Sequence, residues 1–381
     1  VLSAIGKKQK RLDLGNRGGH GVEQYLSHPP PERGASRLPG QKRAIADGPS
    51  QSLRLRALAA GFDSFESDEQ PLHHFSSTAL QFHLSLSLGC LVRILITGAG
   101  GLLGGRLCDL LSTDHELTGA IRHQPAPPGI PVFGADLADK DAVGNALRVA
   151  RPEVVIHCAA LADPEVCERD AARAERDNVN STLALATASA QTGARFILVS
   201  TDLVFDGRRA LSSESASAEP LMEYGRSKRR AEAAAALALP DSVILRTSLI
   251  CGRGYGPRWS ASETIARKLR LGETVRLYED EWRTPVDPES IASAIRALLN
   301  RPRMAGTFHI AGAERVTRVE LGERVAAACE LDASLIERTS RSTHVGAPRP
   351  RDVSLDTRRA REELGWAPRS LDEALREGRR A

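Results

Sequence analysis

Three polar side chains in the middle of this 381-residue chain have the types and spacing needed to move a proton onto an oxygen atom. Thr201 supplies a hydroxyl, while Tyr224 and Lys228 supply a phenol and an ammonium four residues apart. Residues four apart on a helix lie on the same face, so these two groups would be neighbours. A free tyrosine has a pKa of about 10, and a neighbouring ammonium is expected to lower that pKa. We therefore predict that Tyr224 donates a proton, Lys228 supports it, and Thr201 orients a substrate carbonyl.

A glycine-rich turn lies well upstream of these side chains. Gly98, Gly101 and Gly104 follow an apolar run that is typical of a buried strand. The first glycine permits a tight turn, the second lets the backbone approach a pyrophosphate, and the third lets a helix pack against the strand. The helix that begins at Leu102 and Leu103 presents unpaired backbone N–H groups to the phosphates. The turn predicts a dinucleotide site, and together with the polar side chains it predicts hydride transfer to a carbonyl.

The residues that follow the next strands indicate which dinucleotide is bound. NAD-binding proteins commonly place an acidic residue after the second strand, on the adenine ribose, but this chain has Arg122 there. The guanidinium favours the 2′-phosphate of NADPH, and a solvated surface arginine is the alternative. Asp136 and Leu137 are expected to border the adenine. Ala159 and Ala160 are small, as a segment passing beneath the cofactor should be. We therefore predict NADPH, with NADH as the alternative.

The elements that must position these residues alternate between apolar strands and helical segments from residue 92 onward. This alternation predicts an α/β fold, a Rossmann-type doubly wound parallel sheet spanning residues 92–247. The predicted strands are Arg93–Thr97, Glu116–Ile121, Pro131–Phe133, Val154–Cys158, Arg195–Ser200 and Ser242–Arg246. The predicted helices between them are Leu102–Leu111, Asp139–Ala150, Ala171–Gly193 and Tyr224–Leu239.

The alternation loosens after residue 247. Residues 248–381 are expected to form a smaller C-terminal α+β lobe that caps the substrate side, with the chain crossing back to the Rossmann core. Helices are predicted in this lobe over Ser260–Leu271, Pro288–Leu299 and Val319–Cys329. Short strands are predicted near Thr274–Tyr278 and Thr307–Ile310.

Residues 1–91 differ from the rest of the chain. They contain three consecutive prolines and many Gly, Ser and Arg residues, with 11 Lys and Arg against 8 Asp and Glu. Such a composition buries too little apolar surface to offset chain entropy, so we predict a largely disordered leader. The remaining residues carry 41 basic against 40 acidic side chains, so the part predicted to be catalytic is nearly neutral.

Composition also bears on whether the protein binds nucleic acid, a membrane or a metal ion. A net charge of +4 is too small to indicate nucleic acid binding. No apolar run approaches the roughly 20 residues that a membrane helix needs. The six cysteines are scattered, without the Cys and His spacing that binds zinc. We therefore expect free thiols, no metal site, and a location in the reducing cytoplasm.

Several segments resemble the extended short-chain dehydrogenases, specifically the dTDP-4-dehydrorhamnose reductase-like branch. That branch also contains the regulatory beta subunit of methionine adenosyltransferase. The resemblance covers residue 92 to the C terminus. It implies Thr201, Tyr224 and Lys228 as catalytic residues and NADPH or NADH as hydride donor. The segments that carry it are Thr97–Gly104, Val155–Ala160, Asn178–Asn180, Ser200–Gly207, Pro220–Lys228, Leu245–Ser248, Arg349–Asp356 and Leu364–Trp366.

The resemblance implies reduction of a 4-keto group in a nucleotide-activated deoxysugar, but the substrate positions depart from the pattern. Leu203 and Leu249 stand where such reductases often carry a tyrosine and a tryptophan. In the segment Trp282–Pro285, Arg283 is the best candidate for a contact with the nucleotide diphosphate, and a structural salt bridge is the alternative. The other functions we weigh are a sugar-nucleotide epimerase or dehydratase and a non-catalytic NADP-binding regulatory subunit. The resemblance is also compatible with a homodimer.

Overall fold

The structure of the protein, a computed structural model, describes residues 91–256 and 259–378. The predicted disordered leader therefore lies outside the described residues, apart from its last position. The strands of the described part are β1 (Arg93–Thr97), β2 (Glu116–Ile121), β3 (Val132–Gly134), β4 (Val154–His157), β5 (Arg195–Thr201), β6 (Val243–Thr247), β7 (Val275–Tyr278), β8 (Trp282–Arg283), β9 (Gly306–Ile310), β10 (Val316–Thr317) and β11 (Ile336–Thr339).

Helices connect most of these strands, as a doubly wound sheet requires. They are α1 (Leu102–Leu111), α2 (Lys140–Ala150), α3 (Pro164–Arg169), α4 (Ala171–Ala174), α5 (Ser181–Thr192), α6 (Glu223–Ala238), α7 (Ala261–Arg270), α8 (Pro288–Leu299), α9 (Arg318–Cys329), α10 (Arg358–Leu364) and α11 (Leu371–Gly378).

The central sheet has seven strands in the order β3-β2-β1-β4-β5-β6-β9. Every neighbouring pair in it is parallel. The predicted Rossmann-type fold is therefore confirmed. The strand order reverses between β1 and β4, and open α/β sheets bind ligands at the carboxyl ends of the strands next to such a point.

Aliphatic side chains cover both faces of this sheet. In β1, Ile94 and Ile96 point toward one face and Leu95 toward the other, and each is at most 1% exposed. The first face packs against α1 and α8, and the second packs against α2, α5 and α6. Because both faces are covered, the strand is a continuous apolar run rather than an alternating one.

The single helix predicted over Ala171–Gly193 is interrupted. The structure has α4, then a π-helical segment over Glu175–Asn180, and then α5, which ends at Gly193 with φ +72°. A π-helix holds more residues per turn, and such segments recur at functional sites. Here it turns two consecutive side chains inward, because Asp177 is 8% exposed and Asn178 is 1% exposed.

The strand predicted near Thr307–Ile310 is present as β9. It pairs with β6 at the edge of the central sheet, so the chain crosses back to the Rossmann core at this point. Phe308 and Ile310 are completely buried in the main core, which explains the placement. The lobe itself contains the parallel pair β7 and β11 and the antiparallel pair β8 and β10. Side chains of α7, α9 and α11 pack against β7.

The cysteines within the described residues are free thiols, as predicted. Cys108 is buried, and Cys158 is partly buried at the end of β4. Burial raises the pKa of both thiols to about 12, so neither has the thiolate character of a reactive cysteine. In the same part of the chain, no helix combines the length and apolarity needed to cross a bilayer.

Candidate active site

A cleft of about 500 Å³ opens at the carboxyl ends of the central strands, next to the point where their order reverses. The structure brings every predicted site residue to this one cleft. The lining includes Gly98, Gly101, Leu102, Leu103, Gly104, Arg122, Asp136, Leu137, Ala159, Ala160, Thr201, Tyr224, Lys228 and Arg283.

The glycine turn leaves no room for side chains. Gly98 has φ +68°, and a Cβ there would lie 2.8 Å from the backbone nitrogen of Ala159. A Cβ on Gly104 would lie 2.3 Å from the carbonyl oxygen of Gly98. In the described structure no side chain caps the start of α1, so its first backbone N–H groups face the cleft without a protein acceptor. The turn can therefore hold an anionic group against the helix N-terminus.

Thr201 and Tyr224 meet at the centre of the cleft. Thr201 ends β5, and Tyr224 lies in the first turn of α6. A Cβ on Gly225 would lie 2.1 Å from the carbonyl oxygen of Leu203, so the glycine lets α6 begin against the turn that follows β5. The Thr201 hydroxyl accepts from the backbone N–H of Leu203 at 3.2 Å. The same hydroxyl donates to the Asp202 carboxylate at 3.2 Å, and the Tyr224 phenol lines the cleft beside it.

The expected lowering of the tyrosine pKa is wrong for the protein without cofactor. Burial raises the pKa of Tyr224 above its ordinary value, the Asp202 carboxylate raises it further, and the hydrogen bond from Thr201 only partly opposes them. The Lys228 ammonium is directed elsewhere and donates to the carbonyl oxygen of Val199 at 2.9 Å. The phenol is therefore protonated at neutral pH, which suits a proton donor.

The buried position of Lys228 lowers its pKa. It is 2% exposed, and burial lowers its pKa to about 8, against the opposing influence of Glu232. His157 lies nearby and is hydrogen-bonded to the hydroxyls of Thr97 at 2.7 Å and Thr182 at 3.1 Å. Burial first, and then Lys228, lower the pKa of His157 to about 3. The histidine is therefore neutral, and the lysine is the cation of this part of the cleft.

Arg283 forms a structural salt bridge, which the sequence analysis gave as the alternative to a contact with the nucleotide diphosphate. Its Nε and Nη2 atoms donate to Asp202 at 2.9 Å and 2.8 Å, and Ser248 donates to the same carboxylate at 2.6 Å. The side chain of Asp202 is completely buried, and that of Arg283 is 9% exposed. Among the four residues of the Trp282–Pro285 segment, Arg283 alone lines the cleft. The indole of Trp282 stacks beneath Arg315 instead.

Arg122 also has a carboxylate partner, so it is not the solvated surface arginine weighed as an alternative. Its Nη1 and Nη2 atoms donate to the two oxygens of Asp177 at 3.1 Å and 3.2 Å. Arg176 donates to Asp177 at 2.7 Å and also to Asp136. This end of the cleft therefore combines the predicted Arg122 and Asp136 with Asp177, which was not predicted, and Arg176 pairs with both carboxylates from beside the cleft.

The sequence analysis also missed what Asn178 and Trp259 contribute. Asn178 accepts from the backbone N–H of Leu161 at 2.7 Å and donates to Ser227 at 2.9 Å, so it joins the loop after β4 to α6. Trp259 lines the cleft while 51% exposed, just before Ser260 caps α7. The motif at Asn178 was visible as part of the resemblance. The inward turn of Asp177 was not, because a helical pattern does not reveal a π-helical segment.

A parallel Rossmann sheet whose glycine turn and polar side chains share one cleft at the strand ends defines a dinucleotide-binding oxidoreductase. Residues 92–379 match the family model described as the RmlD substrate binding domain, and the chain belongs to this family.

Known proteins similar to this chain include both a reductase and a regulatory subunit. The chain is 32% identical over 290 residues to a probable low-salt glycan biosynthesis reductase, Agl14, of Haloferax volcanii, covering 74% of this chain and 95% of the relative. It is 31% identical over 284 residues to methionine adenosyltransferase 2 subunit beta of Mus musculus, covering 73% and 84%. In fold it is similar to the dTDP-4-dehydrorhamnose reductase of Bacillus anthracis crystallised with NADP, with a TM-score of 0.67, 23% identity, and coverage of 75% and 97%.

Proposed function

We propose that this protein reduces the 4-keto group of a nucleotide-activated deoxysugar with NADPH, with Tyr224 as the proton donor. The single observation that carries the proposal is that Thr201, Tyr224 and Lys228 line the same cleft as the glycine turn. Family membership and the similarity to a probable glycan biosynthesis reductase support a sugar substrate.

The residues of the cleft fit a dinucleotide. Gly98 and Gly104 pack against backbone atoms of Ala159 and of Gly98, which gives the tight turn and the close packing of helix on strand that a dinucleotide-binding loop requires. Lys228 lines the same cleft and would hold the ribose next to the nicotinamide. Arg122 favours the 2′-phosphate of NADPH, and the Bacillus anthracis structure with NADP supports the same choice. NADH is the alternative cofactor.

The chemistry of the chain's own residues follows from their protonation states. When bound, the nicotinamide supplies a hydride to the carbonyl carbon. Thr201 donates a hydrogen bond to the carbonyl oxygen and orients it beside Tyr224. As negative charge develops on that oxygen, the Tyr224 hydroxyl transfers its proton to it and the ketone becomes an alcohol. The phenolate that remains is stabilised by the Lys228 cation and regains a proton from solvent.

The position of Asp202 weighs against the dehydratase alternative. Dehydration requires a free acidic residue beside the threonine. Asp202 occupies that position, but Arg283 and Ser248 hold both of its oxygens. Burial raises the pKa of Asp202 while Arg283 and Ser248 oppose that shift, and with both oxygens engaged the side chain is not free to act as the acid.

Oxidation of NADPH in the presence of a panel of dTDP-4-keto-6-deoxy sugars tests the proposal directly. We expect consumption of NADPH that depends on the sugar and yields the corresponding alcohol. Binding of NADPH without turnover of any sugar would contradict the proposal and favour a regulatory role like that of the methionine adenosyltransferase relative. Dehydrated product without net NADPH consumption would favour the dehydratase alternative.

A further inference from the structure

The end of the cleft that the proposed function assigns to the adenosine, which we call the adenosine end, carries a cluster of charged side chains of which that proposal uses only Arg122. We call it the arginine cluster, and it consists of Arg122, Arg173, Arg176, Asp136 and Asp177. Asp177 accepts from Arg122 at 3.1 Å and from Arg176 at 2.7 Å, and it faces Arg173 at 3.5 Å. Arg176 also pairs with Asp136. Three cations thus surround two carboxylates, which leaves one positive charge uncompensated within the cluster.

The two carboxylates of the arginine cluster differ in burial. The side chain of Asp177 is 5% exposed, whereas that of Asp136 is 37% exposed. An unpaired buried carboxylate is costly, so Asp177 keeps its arginines. The pair of Asp136 with Arg176, itself 48% exposed, lies in a well-hydrated setting where an ion pair contributes little. The contact between Asp136 and Arg176 is therefore the one that an incoming anion can replace.

Arg122, which lines the cleft, and Arg176, which pairs with two carboxylates that line it, both retain unused donors. A guanidinium has five N–H groups. Arg122 uses one N–H on each Nη for Asp177, and Arg176 uses one on each Nη for Asp177 and Asp136. A phosphate monoester has three acceptor oxygens and a charge near −2, and arginine binds such groups with paired hydrogen bonds. The arginine cluster can therefore take a phosphate without losing the anchor at Asp177.

We propose that Arg176 and Arg122 together bind the 2′-phosphate of NADPH. Before the cofactor binds, Asp136 pairs with Arg176, and the phosphate then replaces the Asp136 carboxylate as the partner of Arg176. Asp177 is the positioning residue, because it orients both guanidiniums from within the π-helical segment. This inference rests on the proposed cofactor. It extends the prediction for Arg122 to a second phosphate-binding residue and gives Asp136 the role of a competing anion.

Calorimetric titration of the full chain with 2′,5′-ADP and with 5′-AMP tests the binding of the 2′-phosphate without any reduction reaction. The two probes differ only in the 2′-phosphate. We expect 2′,5′-ADP to bind more tightly than 5′-AMP. Arg176→Gln should weaken 2′,5′-ADP about tenfold, the value of one charge-assisted hydrogen bond to phosphate, and leave 5′-AMP unchanged. Arg169→Gln, an exposed arginine of α3 outside the arginine cluster, is the matched control and should change neither affinity.

Asp136→Asn separates a competing anion from a merely structural residue. Removing its negative charge frees Arg176 and ends repulsion of the phosphate, so this variant should bind 2′,5′-ADP several-fold more tightly. Weaker binding of 2′,5′-ADP by Asp136→Asn would overturn the proposal, as would an unchanged affinity in Arg176→Gln. Equal affinity of the unaltered protein for both probes would show that the carboxylates receive ribose hydroxyls instead. These probes lack nicotinamide, so an absence of reductase activity would leave the result intact.

Discussion

Each end of the cleft has an ion pair between an arginine and an aspartate, but the pair is buried at one end and exposed at the other. At the catalytic end, Arg283 pairs with Asp202, and their side chains are 9% and 0% exposed. At the adenosine end, Arg176 pairs with Asp136, and their side chains are 48% and 37% exposed. The two ion pairs have the same functional groups and differ in how far solvent reaches them.

Burial decides whether such a pair is part of the scaffold or part of a binding site. Separating Asp202 from Arg283 would leave an unpaired charge away from water, so the pair stays closed and holds the turn after β5 in place. Separating Asp136 from Arg176 exposes both groups to solvent at little cost. We therefore expect substitutions at the catalytic end to affect rate and stability strongly, and those at the adenosine end to affect mainly the choice of ligand.

The largest effect is expected at the phenol. Tyr224→Phe removes the donated proton while keeping the ring, so kcat for reduction of a keto sugar should fall about 10²- to 10⁴-fold. The affinity for NADPH, measured by titration, should stay nearly constant. Tyr255→Phe is the matched control, because that ring packs over Gly105 away from the catalytic hydroxyls. Full activity of Tyr224→Phe would eliminate the proposed proton transfer.

Breaking the buried ion pair should cause the largest loss of stability. Arg283→Met leaves the Asp202 carboxylate buried without its main partner, which costs about 3–5 kcal/mol of the free energy of unfolding. Urea denaturation monitored by circular dichroism measures this loss. Adding Asp202→Asn to the same chain removes the unpaired charge and should recover part of the stability. If Arg283→Met were as stable as the unaltered protein, the contrast between the two ends would be wrong.

The stability of the protein should depend on pH through Lys228. Its pKa is about 8 in the folded chain, because burial disfavours the cation, and its ordinary value is 10.5. Between these values the unfolded chain binds more protons than the folded one, so stability rises as pH increases. From pH 8 to pH 10 the gain relative to Lys228→Met should be on the order of 2 kcal/mol. The free energy of unfolding of both proteins is measured by denaturation from pH 8 to pH 10. An equal pH dependence in the two proteins would show that the pKa of Lys228 is not lowered by burial.

The smallest effect is expected at the exposed pair. Arg176→Met should change the free energy of unfolding by about 1 kcal/mol or less, since Arg122 still pairs with Asp177. Raising the salt concentration should reduce even this difference, because the pair is accessible to counterions. A loss comparable to that of Arg283→Met would show that the adenosine end is part of the rigid scaffold.

Much of the fold followed from local patterns in the chain. The strand predicted over Arg93–Thr97 and the helix over Leu102–Leu111 have the predicted bounds, because apolar runs and a glycine turn depend on neighbouring residues alone. The strand predicted near Thr307–Ile310 is also present, but only the folded chain shows that it pairs with β6 in the central sheet. One prediction failed where distant contacts decided the outcome. The helix over Ala171–Gly193 acquired a π-helical segment, which brings Asp177 to Arg122.

The amino-acid sequence by itself determined the parallel sheet, the glycine turn, and the residue types available for catalysis. Only the tertiary structure decided their protonation states and their partners. The ion pair of Arg283 with Asp202 joins residues 81 positions apart, and that of Arg176 with Asp136 joins residues 40 apart. The reason is physical: conformational preferences are set by adjacent residues, whereas a pKa or an ion pair depends on which groups the folded chain brings together and how much water it leaves around them.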